Sequence, residues 1–194
     1  LDPSHLSVYA LTPEPGTPLA DRIATHLLPA LDDAAQQRAL AQAGTALERA
    51  GYTHYEISNY ARPGLECRHN VSCWRGEDYR GVGPAAASRS GLQRRTNAAD
   101  LDAYLHALEE GRPPPRSVEH LDRATDAAER LAFAFRLAEG VDLVSFARQH
   151  RVATPLAQSW RTILNNLAQE GLVMRKGPRW KLTGSGRRFA DHVA

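Results

Sequence analysis

A run of three prolines, Pro113-Pro114-Pro115, separates two parts of the chain that differ in character. Proline fixes φ, lacks a backbone N–H and biases the preceding residue away from helix, so this run fits neither a helix nor a central strand. We therefore predict a linker at residues 112–116 and two domains, residues 1–114 and 115–194. A chain of 194 residues is long enough for one domain or for two small ones.

The first part contains strand and helix patterns in the order strand, helix, strand. Residues 5–11 are largely apolar, residues 32–50 carry apolar side chains at helical spacing, and residues 55–61 alternate like a strand. This order predicts a βαβ unit with parallel strands. Leu1 is not a start methionine and lies close to the first strand, so we expect sheet partners upstream. A disordered tag before Leu1 is the alternative.

The second part has the pattern of a small α+β domain. Three helices, a β-hairpin and a final helix predict a winged-helix-like fold. A further short helix is expected before the linker, at residues 98–110. The elements expected after the linker are helices at residues 122–138, 142–150 and 155–170, strands at 172–175 and 179–183, and a helix from Ser185.

Composition argues against several classes of protein. The formal net charge of +2 is small for a dedicated nucleic-acid binder. The two cysteines, Cys67 and Cys73, are too few for a disulfide-stapled secreted scaffold and fit a reducing compartment. No apolar run approaches the roughly 18 residues of a membrane span, and no signal segment opens the chain. We expect a cytoplasmic protein.

The residues best suited to chemistry are concentrated between Cys67 and Trp74, in a segment expected to be irregular up to about Ser90. This stretch holds the imidazole of His69, two thiols and a large apolar ring. Imidazole and thiolate bind heme iron or zinc, and an indole can cover a porphyrin face. A structural zinc site is disfavoured because no fourth ligand is apparent. Side chains that are merely packed remain the alternative.

Three other groupings give weaker hypotheses. Glu56 and Asp78 could form a general acid/base pair, but nothing fixes their separation, so solvated charges are favoured. Gly81-x-Gly83 would need a following helix to hold phosphate, so a turn is favoured. The C-terminal part could bind a nucleic-acid backbone or serve as an interaction module. Its cations are Arg161, Arg175, Lys176, Arg179, Lys181, Arg187 and Arg188, against Glu170 and Asp191.

Several motifs, in one order along nearly the whole chain, resemble those of HemW-type proteins. Residues 55–61, followed by His69-Asn70-x-x-x-Trp74 and Gly81-Val82-Gly83-Pro84, resemble the segment with the family's H-N-x-x-Y-W motif. Residues 11–17 resemble its L-T-x-E-P-G-T loop, and Glu139-Gly140-Val141 also fits. The resemblance implies an α/β fold: the C-terminal part of a partial (β/α) barrel followed by a small winged-helix-like α+β domain.

The family consists of radical-SAM proteins related to oxygen-independent coproporphyrinogen III oxidase, understood to bind heme and transfer it to acceptor proteins. The resemblance therefore implies that this chain is the back part of a heme chaperone. Heme binding is implied for His69, Asn70, Cys73 and Trp74. His69 would be the iron ligand, and Trp74 would shield the macrocycle from water.

The chain departs from the family pattern at two places. Cys73 replaces the family tyrosine, which removes a phenol and adds a soft ligand. The family's G-P-G-A-H-S loop has Ala85 in place of glycine, which restricts the backbone, and Ala87 in place of histidine, which deletes an imidazole. These departures argue against a fully competent heme site, or indicate a diverged paralogue.

The [4Fe–4S] cluster of the family requires three cysteines in a C-x3-C-x2-C motif, and this chain has only two cysteines. The cluster motif and the glycine-rich loop for S-adenosyl-L-methionine are therefore expected in an upstream half. The chain alone is expected to have no SAM chemistry, and whether the parent is an oxidase stays open. In the intact parent, the backbone near Tyr9, Ala10 and Leu11 would lie close to the adenosine.

Overall fold

Three small antiparallel sheets and eight helices make up the described part of the computed structural model, residues 1–30 and 32–190. The chain divides after Cys67 into two units, Leu1–Cys67 and Arg68–Ala194. No helix in the described ranges has the length and apolarity needed to cross a membrane.

The first unit is a three-stranded sheet with two helices. Its elements are β1 (His5–Ser7), α1 (Pro18–Ala24), α2 (Asp33–Arg49), β2 (Thr53–His54) and β3 (Asn59–Ala61). The Asp32 side chain caps α2 by accepting a hydrogen bond from the N–H of Ala34, at 2.9 Å. Gly44 allows α2 to lie close to the sheet, because a Cβ there would be only 2.9 Å from the Tyr60 hydroxyl.

The parallel pairing predicted for the first unit is wrong. The strand order is β1-β3-β2, and β3 is antiparallel to both neighbours. Since β1 and β2 both oppose β3, they run in the same direction, and the connection through α2 joins strands that are not adjacent. Residues 55–58 form a turn between β2 and β3, so residues 55–61 are not one strand. The first strand ends at Ser7 rather than extending to residue 11.

The second unit contains the remaining six helices and two sheets, ordered β4-β5-β6 and β7-β9-β8. The elements are α3 (Arg68–Trp74), β4 (Ala87–Ser90), β5 (Gln93–Asn97), α4 (Leu101–Glu109), β6 (Arg116–His120), α5 (Arg123–Ala134), β7 (Val141–Asp142), α6 (Leu143–Gln149), α7 (Thr154–Gln169), β8 (Val173–Lys176), β9 (Arg179–Leu182) and α8 (Gly184–Arg188).

From α5 to α8 the elements follow the predicted order of three helices, a hairpin and a helix, and β7 adds a third strand to the hairpin. Asp122 and Asp142 cap α5 and α6 by accepting backbone N–H groups of the first turn. This part of the unit encloses an apolar core. Its larger members are Leu131, Phe135, Leu137, Val141, Leu143, Trp160, Leu164, Val173, Trp180 and Leu182.

The prediction of a mixed α/β chain is confirmed. All strand pairs in the described ranges are antiparallel and form no closed barrel, in contrast to the parallel strands of the expected partial barrel.

The prolines of the linker lie between α4 and β6, and β6 pairs with β5 through Asn97 and Arg116. The domain boundary after residue 114 stays a prediction.

Candidate functional site

The four residues implicated by the sequence, His69, Asn70, Cys73 and Trp74, all lie on the short helix α3, where an irregular segment was expected. His69 and Cys73 are four residues apart and share one helix face. The Nε2 of His69 lies 3.7 Å from the Sγ of Cys73. His69 is exposed, and Asn70 and Cys73 are half-buried. The fold therefore brings an accessible imidazole and a thiol together.

Trp74 attaches α3 to the region around α5. Its ring meets Phe133 edge-on at a centroid distance of 6.1 Å, and the Cζ of Arg136 lies 4.7 Å from its centroid. Such contacts add to the burial of the indole. The Nε1 of Trp74 is buried and has no hydrogen-bond partner among the described residues. In this conformation Trp74 anchors the helix that carries His69.

A charge cluster formed by Arg89, Asp126 and Arg130 fixes the backbone just after α3. Arg130 donates from Nη1 to the carbonyl of Gly76 and from Nε to Asp126, at 2.9 Å in the second case. Asp126 also accepts a hydrogen bond from Arg89. Burial alone would raise the pKa of Asp126, but the hydrogen bonds from Arg130 and Arg89 outweigh it and hold this pKa below its ordinary value. The carboxylate is therefore kept ionised.

The loop between α3 and β4 contains a turn at Gly83 that two hydrogen bonds hold in place. The N–H of Gly83 donates to the Tyr104 hydroxyl at 3.1 Å, and the Asn97 amide donates to the Gly83 carbonyl at 2.9 Å. The turn leads into β4 rather than into a helix, which favours the turn interpretation over a phosphate cradle. Ala85 has φ of 57°, a left-handed conformation that costs a non-glycine residue about 1 kcal/mol.

Glu56 and Asp78, the suggested acid/base pair, each bind a nearby turn. Glu56 is buried in the first unit and accepts the N–H of Ser58 at 3.0 Å. Asp78 belongs to the second unit and accepts the N–H of Gly91 at 2.9 Å. These hydrogen bonds give each carboxylate a structural role in its own turn, so neither needs a catalytic role to account for its position. Tyr9, Ala10 and Leu11 are exposed beyond the end of β1.

Several of the C-terminal cations have partners within the chain, among them Arg188, which donates to the Ser185 hydroxyl at 3.1 Å. Arg179 donates to the Gly140 carbonyl at 2.8 Å, and Arg175 donates to the Gly177 carbonyl at 3.1 Å. The Cζ of Arg175 also lies 5.9 Å from the centroid of the Trp180 ring. Asp191, counted in the sequence-based charge, lies outside the described residues. The hairpin is thus basic, but part of its charge is engaged internally.

Sequence reasoning missed a polar cleft of about 750 Å³ over one face of the sheet β4-β5-β6. The cleft went unrecognised because these strands are rich in arginine and lack an apolar pattern. Its charged lining consists of Asp78, Arg80, Arg89, Arg95 and Arg116. Within residues 1–30 and 32–190, no three His, Cys, Asp or Glu side chains are grouped to hold a metal ion.

Comparison with known proteins shows which family this chain is similar to. The model of the HemN C-terminal domain matches residues 121–189. The heme chaperone HemW of Mycobacterium tuberculosis is 34% identical over 191 residues, which cover 97% of this chain and 46% of that protein. HemW of Escherichia coli is 32% identical, with 100% of this chain and 49% of that protein covered.

The fold is also shared with a solved structure, coproporphyrinogen III oxidase (HemN) from Escherichia coli, a radical SAM enzyme. The TM-score is 0.69 at 19% identity, and the match covers 99% of this chain and 47% of that one. The chain thus spans about half the length of the relatives it matches. It belongs to the family of HemW- and HemN-like radical-SAM proteins, of which it matches the C-terminal half.

Proposed function

We propose that this chain binds heme at α3 and, as part of a larger radical-SAM protein, passes it to an acceptor protein. The support from the comparisons is that relatives matching 97% or more of the chain carry the name heme chaperone. The observation that carries the proposal is the exposed imidazole of His69, held beside the Cys73 thiol on a helix anchored by Trp74.

The donor set of α3 fits heme better than a bare metal ion. A structural zinc site takes four protein ligands, whereas heme iron already has four porphyrin nitrogens and needs one or two axial ligands. His69 can supply a neutral imidazole, and Cys73 can supply a thiolate instead. Heme, when bound, would supply an iron centre that these donors can ligate. The residues of this chain would bind that iron and support the ring edge.

The exposure of His69 suits transfer rather than storage. Because His69 is exposed, a heme held there would be accessible to an acceptor protein. Exchange then requires no opening of a buried core. Asn70, half-buried on the same helix, is proposed to contact the bound group.

The iron–sulfur cluster and S-adenosyl-L-methionine belong, in this proposal, to an upstream half of the parent protein, which would hold the first part of the partial barrel that residues 1–114 finish. The exposed backbone at Tyr9, Ala10 and Leu11 is proposed to approach the adenosine there. The chain alone would have no SAM activity, and we place the parent in the cytoplasm.

Hemin titration tests the proposal. Adding hemin to the chain should produce a Soret band of the bound form, and His69→Ala should abolish it. His26→Asn is the matched control, because His26 is an exposed histidine with φ of 59° that asparagine tolerates. Cys73→Ser should shift the band only if thiolate is the ligand. A Soret band unchanged in both His69→Ala and Cys73→Ser would refute iron binding at α3.

Nucleic-acid binding by the hairpin β8–β9 is the alternative function. It predicts salt-dependent retention on duplex DNA that disappears when Arg175, Lys176 and Arg179 are replaced together. The internal contacts of Arg175 and Arg179 argue against this function, since those guanidinium groups already have partners.

A further inference from the structure

The sheet β4-β5-β6 has two faces with different partners. Arg89 and Arg94 are paired across β4 and β5, and both form ion pairs with residues of α5. Side chains alternate between faces along a strand, so Arg95 and its cross-strand neighbour Ser88 lie on the opposite face. That face borders the 750 Å³ cleft.

The cleft face is polar and carries unbalanced positive charge. Arg80, Arg95 and Arg116 line it and form no ion pair among the described residues. Arg89 also borders the cleft, but it forms ion pairs with Asp126 and Glu129. Among the described residues that line the cleft, Asp78 is the one acidic residue, and its carboxylate accepts hydrogen bonds from the N–H of Gly91.

The arrangement of the arginines favours a single ligand with more than one anionic group. Asn97 on β5 is directly opposite Arg116 on β6, and Arg95 is two residues before Asn97. Diagonal neighbours across strands are about 7–8 Å apart at Cα, so two guanidinium groups can reach one small molecule. The Nε of Arg95 donates to the Gln93 side-chain oxygen at 2.5 Å, which orients the guanidinium.

We propose that this cleft binds a small oxyanion with at least two negatively charged groups, either carboxylates or phosphates. Guanidinium groups match both oxyanions because they donate two parallel hydrogen bonds. Ser88, Ser90 and Asn97 add neutral polar groups along the lining. The cleft volume lies within the range of about 300–1,000 Å³ typical of small-ligand sites. The site requires no iron and is independent of the function proposed for α3.

Isothermal titration calorimetry of the 194-residue chain with citrate and with pyrophosphate tests the proposal. One or both anions should bind with 1:1 stoichiometry, and the tighter of the two identifies carboxylate or phosphate as the natural chemistry. Arg95→Gln and Arg116→Gln should each weaken binding about tenfold or more. Raising the salt concentration should weaken binding further, because the cleft is open to solvent.

Arg161→Gln is the matched control, since Arg161 is exposed on α7 and does not line the cleft. It should change the affinity less than about twofold. Arg95 and Arg116 are exposed, so unchanged circular dichroism should verify that both variants fold. Arg80 also lines the cleft but lies outside the three strands, so Arg80→Gln is a third variant of the same kind. Binding of neither anion at millimolar concentration, or equal weakening by Arg161→Gln, would overturn the proposal.

Discussion

Replacing Asp126 with asparagine should destabilise the second unit strongly, because this buried carboxylate is the shared partner of the buried Arg89 and the partly buried Arg130. The side chain of Arg89 is 3% exposed and that of Arg130 is 15% exposed. Asparagine has nearly the same shape as aspartate but carries no charge. The substitution therefore leaves one buried and one partly buried guanidinium group without their main counter-ion.

The size of the effect can be estimated from the remaining contacts. Breaking a buried ion pair from one side typically costs about 3–5 kcal/mol. Glu129 stays 3.9 Å from the Nη1 of Arg89, and Arg130 keeps the Gly76 carbonyl. We therefore expect a loss near the lower end, about 3 kcal/mol in the free energy of unfolding. For a chain of this length, that corresponds to a decrease in Tm of about 6–12 °C.

Urea denaturation followed by circular dichroism measures the difference. Asp102→Asn is the matched control, because Asp102 occupies the first turn of α4 as Asp126 occupies the first turn of α5, but is exposed. The control removes the same favourable charge near a helix N-terminus and should cost about 0.5 kcal/mol. A loss below about 1 kcal/mol for Asp126→Asn, or one no larger than the control, would refute the role of the cluster.

Three further predictions concern pH and backbone strain. Because the fold lowers the pKa of Asp126, the stability that this carboxylate contributes is complete above its ordinary pKa of 3.8 and is lost as pH falls through the folded pKa. The difference in free energy of unfolding between wild type and Asp126→Asn should therefore narrow in urea titrations below about pH 4. Ala85→Gly should raise the free energy of unfolding by about 1 kcal/mol, because φ is 57° there, whereas a lower Tm would contradict the strain. Gly140→Ala should lower the free energy of unfolding by about 3 kcal/mol or more, since its Cβ would lie 2.3 Å from the Trp180 carbonyl oxygen. The control Gly171→Ala, with φ of +74° and open space around the new Cβ, should lower it by only about 1 kcal/mol. Equal melting temperatures for the two variants would count against the steric argument.

The sequence predicted the C-terminal helices well because their signals are local. The helices predicted at residues 122–138 and 142–150 begin with Asp122 and Asp142, and in the structure these two side chains cap α5 and α6. Strand pairing in the first unit was mispredicted because the order of strand, helix and strand does not specify which strands become neighbours. Here β3 folds back on β2 through a four-residue turn and so separates β1 from β2.

The candidate site was only partly accessible to sequence reasoning. The resemblance identified His69 and Cys73, but their 3.7 Å approach depends on α3 being helical, and a seven-residue polar helix gives a weak signal. The sheet under the cleft was missed because its apposed strand residues are charged, as at Arg89 and Arg94. Their charges are balanced by residues of α5, far along the chain, and such long-range compensation leaves no local pattern.

The hydrogen bond from Arg130 to the Gly76 carbonyl has a consequence for engineering. Arg130 lies inside residues 121–189, which match the HemN C-terminal domain, whereas Gly76 lies outside them. A chimera that exchanged only residues 121–189 for those of a relative would need to preserve this donor. Without this donor, the backbone after α3 would lose a hydrogen bond and α3 would be held less firmly in the chimera. The boundary of the exchanged segment is therefore better placed upstream of Arg68.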